Sequence, residues 1–196
     1  MDIFEKCPAL ENDKLLIRLI EDQDADDLQQ VYGDKFVLPF FNSDNCHGSN
    51  FYCRNMEDMA NTIKYWLIEY HDYKGFVRFT VIDKKQGKAA GTIEMFHRRA
   101  ADFYNHCGLL RLDLGRDYEE TSFICDILAL ITEPFYDWFA CSVIATKAPV
   151  YAVDRIEALT KMGFARSEEP LVGEHGIAYY DYWVIEKAAC GLCKRG

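Results

Sequence analysis

The densest run of chemically able side chains in this sequence is Asp117-Tyr118-Glu119-Glu120-Thr121-Ser122. It follows an apolar stretch, Leu109 to Leu114, that reads as a strand, and it precedes a long apolar-periodic stretch from Phe123 that reads as a helix. A loop that opens a helix presents backbone N–H groups without intrahelical partners, and with the helix dipole these attract anions such as phosphate. This loop has no glycine and carries two adjacent carboxylates, Glu119 and Glu120, which oppose an anion. Arg111 and Arg116 are the nearby cations that would offset part of that repulsion.

Three further residues are candidates for proton chemistry. Glu94 lies mid-strand, facing opposite to Ile93 and Met95; it is either a general base acting through water, or part of a solvated strand face or of a salt bridge with Arg78. Asp113 either orients an amine or faces solvent by alternation with Leu112 and Leu114. Tyr151, at the start of the last helix, is either an acid or a packed surface residue. Zinc would need closely spaced ligand pairs. The chain offers a loose Cys46-His47 with Cys53, the pair His106-Cys107, and one CxxC, Cys190 to Cys193, so no metal is expected. No nucleophile elbow, dinucleotide fingerprint or phosphate-binding P-loop is present.

The bulk numbers bound the frame. At 196 residues one domain is the default, and 49% hydrophobic residues suffice for a sizeable core and exclude disorder as the main state. A net charge of −10 without a long basic run argues against nucleic acid as a partner. The acidic start has no apolar core segment, and no apolar run approaches membrane-spanning length, so a cytoplasmic protein without a membrane partner is expected. Cys107, Cys125 and Cys141 lie inside apolar segments, where a free thiol behaves as a small hydrophobe.

These side chains need elements to hold them. After a lead-in (1–12), Leu15–Ile20 reads as a strand, and Asp22 to Gly33 as a helix with Asp22 or Asp24 as its cap. Residues 34–55 mix aromatics with Asn, Ser, Gly and Pro, which fits a binding wall or a short helix with a packed loop. Asn55 caps a helix whose apolar face runs from Met56 to Tyr70. Residues 76–97 read as an antiparallel hairpin turning at Lys84–Lys88, and Leu109–Leu114 as the next strand. A helix bearing Pro134 follows, then a strand at Cys141–Thr146 and a helix from Pro149 to Lys161 stopped by Gly163. A strand starts at Phe164, and a last one, Ala178–Ile185, carries Tyr180 and Tyr182 on one face by alternation. Residues 188–196 read as a flexible tail.

Taken in order, the opening LLIRLI with EDQDADD, the hairpin FVRFTVIDKKQGKAAGTIEMF, the core LLRLDLGRDYEETSFICDIL, the helix end ALTKMGF and the closing YYDYWVIEK resemble the GNAT (Gcn5-related N-acetyltransferase) superfamily. Within it the sequence is most similar to the branch that acetylates ribosomal-protein amino termini, over roughly residues 13–187. The resemblance implies a single α+β domain with a mixed, mostly antiparallel sheet of six to seven strands, a splayed parallel pair and helices on both faces. It implies acetyl-coenzyme A as cofactor, an amine acceptor (a protein amino terminus or a small amine), and a homodimer. Cofactor contacts would fall on Leu112, Leu114, Arg116, Tyr118, Glu119, Glu120, Thr121, Ser122 and Phe123, with Glu94, Asp113 and Tyr151 as catalytic residues.

The chain departs from the family at the same place. The family's Gln/Arg-x-x-Gly-x-Gly/Ala loop has Glu120 and Ser122 at its glycines, Ala152 and Arg155 replace its Asn and Ser, and Leu159 replaces its Tyr. The alternative is therefore a non-catalytic binding module on the same fold that has lost coenzyme A, with a degenerate pyrophosphate loop.

Overall fold

Local sequence sets the element boundaries in ways that can be followed bond by bond. The Asn55 side-chain oxygen accepts the Asp58 backbone N–H at 2.9 Å and starts helix α2, Met56–Ile68, as the spacing predicts. The helix does not end there. Glu69–Tyr73 adds one π-helical turn, which Lys74 closes in a left-handed conformation. Helix α1, Ala25–Tyr32, follows a 3₁₀ turn, Asp22–Asp24. Asp24 does not cap it by side chain; its carboxylate takes Arg18 and the Thr80 hydroxyl.

The computed structural model describes residues 2–187. The tail at 188–196, with Cys190 and Cys193, lies outside the described residues. The described residues pack as two compact units, 2–96 with 111–118, and 97–110 with 119–187.

In the first unit, strands β1 (Leu10–Glu11), β2 (Leu15–Leu19), β3 (Val77–Asp83) and β4 (Lys88–His97) pair antiparallel in chain order. The second half of β5, Gly108–Leu114, belongs here too. Leu28, Val31 and Tyr32 of α1 and Met59, Ile63 and Trp66 of α2 form one buried cluster with Ile20 and Ala89. A bulge bends β4: its register jumps from Val81↔Gly91 to Ile82↔Ala89. Gly91 has φ 152°, and a Cβ there would lie 2.1 Å from the Asp113 carbonyl oxygen. Only glycine lets β4 come this close to β5.

In the second unit are α3 (Thr121–Trp138), β6 (Val143–Lys147), α4 (Val153–Lys161), β7 (Ala165–Arg166), β8 (Leu171–Val172), β9 (Ala178–Tyr179) and β10 (Tyr182–Glu186). The first half of β5 runs parallel to β6 through Gly108↔Ile144, Leu109↔Ala145 and Leu110↔Thr146, where the ladder ends. β10 pairs antiparallel with both β6 and β7, and β8 with β9.

The α+β class with a mostly antiparallel sheet and one parallel pair is as expected. The sheet order, β1-β2-β3-β4-β5-β6-β10-β7, has eight strands rather than six or seven. The surplus strand is β1, two residues long and too short to leave a period in the sequence; β7, also two residues, is the strand expected from Phe164. The last predicted strand is also two. Asp181 takes φ 66° and breaks it, so Tyr182 is buried while Tyr180 is 58% exposed, against the shared face that alternation implies. The helix expected from Pro149 begins at Val153, because Pro149 to Ala152 forms a turn closed by the Ala152 N–H on the Pro149 carbonyl.

Candidate functional site

Six polar residues share one face of β3, β4 and β5 in the first unit. The register sets Arg78 opposite Glu94 and Thr80 opposite Thr92, and alternation on β5 adds Arg111 and Asp113. All but Arg111 are buried. Buried charges need partners, and here they have them. One Arg78 Nη donates to the Tyr32 hydroxyl at 3.0 Å, to Thr92 Oγ1 at 3.0 Å and to Asp113 Oδ2 at 2.9 Å. Its other Nη bonds Glu94 Oε2, and Arg111 donates to Glu94 Oε1 at 2.7 Å. The Arg78 guanidinium lies 4.0 Å from the Trp66 ring centre.

The charges cancel in this cluster, two guanidinium groups against two carboxylates. Burial by itself would push Glu94 up; the attraction of Arg78 and Arg111 outweighs it and holds the carboxyl below the usual carboxylate range. Burial, with Asp113 beside it, raises Tyr32 well above an ordinary tyrosine. Three buried polar atoms of the cluster, Arg78 Nε, Arg111 Nε and Asp113 Oδ1, have no hydrogen-bond partner among the described residues.

A cavity of about 680 Å³ opens in this unit, with Glu94 and Arg111 in its lining. Its walls include Phe51, Tyr52, Tyr65, Trp66, Phe76 and Phe96. The irregular segment between α1 and α2 does both things its composition suggests. Val37, Phe41 and Cys53 join the core, a 3₁₀ turn forms at Leu38–Phe40, and Asn45 to Cys53 wall the cavity. Asn45, His47 and Phe51 are left-handed, with φ 59°, 52° and 63°. Such residues cost about 1–3 kcal/mol each, and they cluster where a wall must be held in one shape.

The acidic loop, in the second unit from Glu119 onward, has its own ion pair. Arg155 of α4 bonds the Glu119 carboxylate through Nε, at 3.3 Å, and through Nη; both side chains are at least nine-tenths buried. Thr121 Oγ1 donates to Asp154 Oδ1 at 2.9 Å, and Ser122 Oγ to Glu120 Oε1 at 2.6 Å. Glu120 is the N-cap of α3 with extended backbone (φ −129°) and makes no side-chain cap bond.

The structure brings some predicted residues together and separates others. Glu94 and Asp113 meet through Arg78; for Glu94 the salt-bridge reading is the one realised. Asp113 does not face solvent: it is fully buried, because α1 delivers the Tyr32 hydroxyl to it at 2.9 Å. A depressed carboxyl with both oxygens held by guanidinium groups is a weak base, so Glu94 serves better as an anchor. Leu112 and Leu114 are core residues of β5, leaving only their backbone for a ligand. Arg111 and Arg116 do not offset the loop. Arg111 is held by Glu94, and Arg116 pairs with Asp34 at 2.9 Å and stacks 4.3 Å over Phe36. Tyr118 donates to Asp83 Oδ2 at 3.3 Å. Phe123 is half-buried in the first turn of α3. Tyr151 is 54% exposed, and burial by its neighbours raises its hydroxyl. Sequence reasoning passed over Tyr32, Thr92, Arg78 as a hub, and Arg155 as the partner of Glu119. The polar alternation on three neighbouring strands was the signal for the first set.

No family model matches the sequence, and no curated relative does. Among solved structures the likeness is clear: this chain has the fold of the GNAT acetyltransferases. A GNAT-family acetyltransferase from Bacillus anthracis superposes with a TM-score of 0.66 at 14% identity, over 91% of this chain and 98% of that one. The ribosomal-protein-S5-alanine acetyltransferase of Vibrio fischeri gives 0.65 at 17%, over 93% and 98%. A spermidine N-acetyltransferase from Vibrio cholerae, in complex with CoA and spermine, gives 0.63 at 12%, over 91% and 98%.

Proposed function

We propose that this chain is an N-acetyltransferase that moves an acetyl group from acetyl-coenzyme A to an amine held in the first-unit cavity. The observation that carries the reading is that cavity, set on the GNAT fold with the Arg78–Glu94–Arg111 cluster in and behind its lining. Acetyl-coenzyme A, when bound, supplies the acetyl group as a thioester. The start of α3 suits its pyrophosphate in two respects: the Glu120 side chain makes no cap bond there, and Arg155 already neutralises Glu119. The backbone of Thr121, Ser122 and Phe123 would hold the phosphates. Glu94 and Arg111, fixed by each other, give the acceptor a rigid edge to lie against. Tyr151, half-exposed in the turn before α4, is the candidate proton carrier. A cytoplasmic location belongs to the same proposal; among the described residues no helix is long and apolar enough to cross a membrane.

A second reading, a binding module without coenzyme A, is favoured by one observation. The Thr121 hydroxyl donates to Asp154, and Glu157 lies 3.4 Å away, so with Glu120 three carboxylates ring the start of α3. Calorimetric titration with acetyl-coenzyme A separates the two. Saturable micromolar binding supports acetyl transfer, and an acceptor screen follows; no binding at millimolar cofactor overturns it in favour of the module. Replacing Glu120 and Ser122 by glycine then restores binding if the loop is what was lost.

A further inference from the structure

The cavity in the first unit has a composition that discriminates among amines. We infer that its ligand is a small aromatic primary amine, not a polycation; as the acceptor in acetyl transfer, this rests on the reading above. Four of its rings, Phe51, Tyr52, Phe76 and Phe96, are half-buried, and Tyr65 is 55% exposed. At about 680 Å³ the space matches a small organic molecule rather than a folded peptide segment. Rings so arranged offer faces and edges to a planar guest, with a favourable quadrupole for one ammonium group.

The charge pattern argues against a polyamine. Binding several ammonium groups takes several free carboxylates, as buried cations must be paired. Among the described residues Glu94 is the single acid in the lining, and both its oxygens are already held by guanidinium donors. Arg111, beside it, repels a second positive charge. The remaining polar lining includes the uncharged Asn45, Ser49, Asn61 and Thr62, and His47, which when protonated adds to the repulsion of a polycation. The left-handed Phe51 shows that backbone strain is accepted to place a ring in this wall.

The test is a calorimetric titration of the whole chain with 2-phenylethylamine, tryptamine, spermidine and spermine, each with and without coenzyme A. Saturable binding of an aromatic amine at least tenfold tighter than either polyamine is expected. Tyr65→Ala, at an exposed ring of α2, should weaken it about tenfold while its thermal unfolding stays unchanged. Polyamines binding as tightly as aromatic amines would overturn the inference. So would failure of aromatic amines to bind in a protein that takes up acetyl-coenzyme A, and that outcome leaves acetyl transfer standing. Aromatic-amine binding without any cofactor binding would uphold the ligand class while removing the transferase.

Discussion

The two units each bury an arginine against carboxylates, but they do so differently. In the first, Arg78 sits on a strand and is satisfied by groups from α1, β4 and β5 at once, with Arg111 balancing the charge. In the second, Arg155 sits on a helix and pairs with Glu119 at the edge of a loop. Strand register fixes the first cluster; chain entry into α3 fixes the second. A cluster set by register is part of the scaffold, and a pair set by a loop can be rearranged. This is why the first region reads as a rigid site and the second as the place where cofactor binding is either kept or lost.

The contrast is broken most directly at Arg78. Arg78→Met leaves Glu94 and Asp113 buried with less compensation and should cost about 3–5 kcal/mol in urea unfolding. Arg155→Met strands the Glu119 carboxylate at a loop that can turn toward water, so about 2–3 kcal/mol is expected. Combining it with Glu119→Gln should recover part of that loss, since the stranded charge is then gone. If Arg155→Met proves costlier than Arg78→Met, the loop pair is as deeply built in as the strand cluster and the comparison fails.

What the sequence made legible follows from the same distinction. Elements with long periods, such as α2 with its Asn55 cap and the β3–β4 hairpin, were readable because each residue's environment depends on near neighbours. The polar face of β3 to β5 was half readable. Alternation places Glu94 and Asp113 correctly, yet the solvent-facing alternatives survived, because only the packing of α1 and its Tyr32 shows that the face is covered. In the sequence Arg155 stands only where the family has a serine. Its partnership with Glu119 spans 36 residues and no local pattern encodes it. The break at Asp181 hides inside an aromatic run that looks like one strand.

Acid titration sharpens the comparison at Glu94. Its folded pKa lies below the unfolded one, so its stabilising contribution is complete above the unfolded value, about pH 4.3, and is lost as pH falls through the folded value. Glu94→Gln should therefore flatten the acid limb of stability against pH. Thermal unfolding between pH 3 and pH 6 measures it, and an unchanged acid limb would mean that Glu94 is not the carboxylate that Arg78 and Arg111 hold ionised.

The smallest effect compares two helix starts. Asn55 closes α2 by accepting the Asp58 N–H, so Asn55→Ala should cost about 1 kcal/mol. Glu120 occupies the equivalent position on α3 but makes no side-chain cap bond, so Glu120→Ala should change stability by less than about 0.5 kcal/mol. It also removes one carboxylate from the first turn of α3, where the dipole favours an anion. Binding of acetyl-coenzyme A should then tighten as stability stays level. Equal costs at the two positions would mean that Glu120 does close α3, and that its N–H groups are not kept for a ligand.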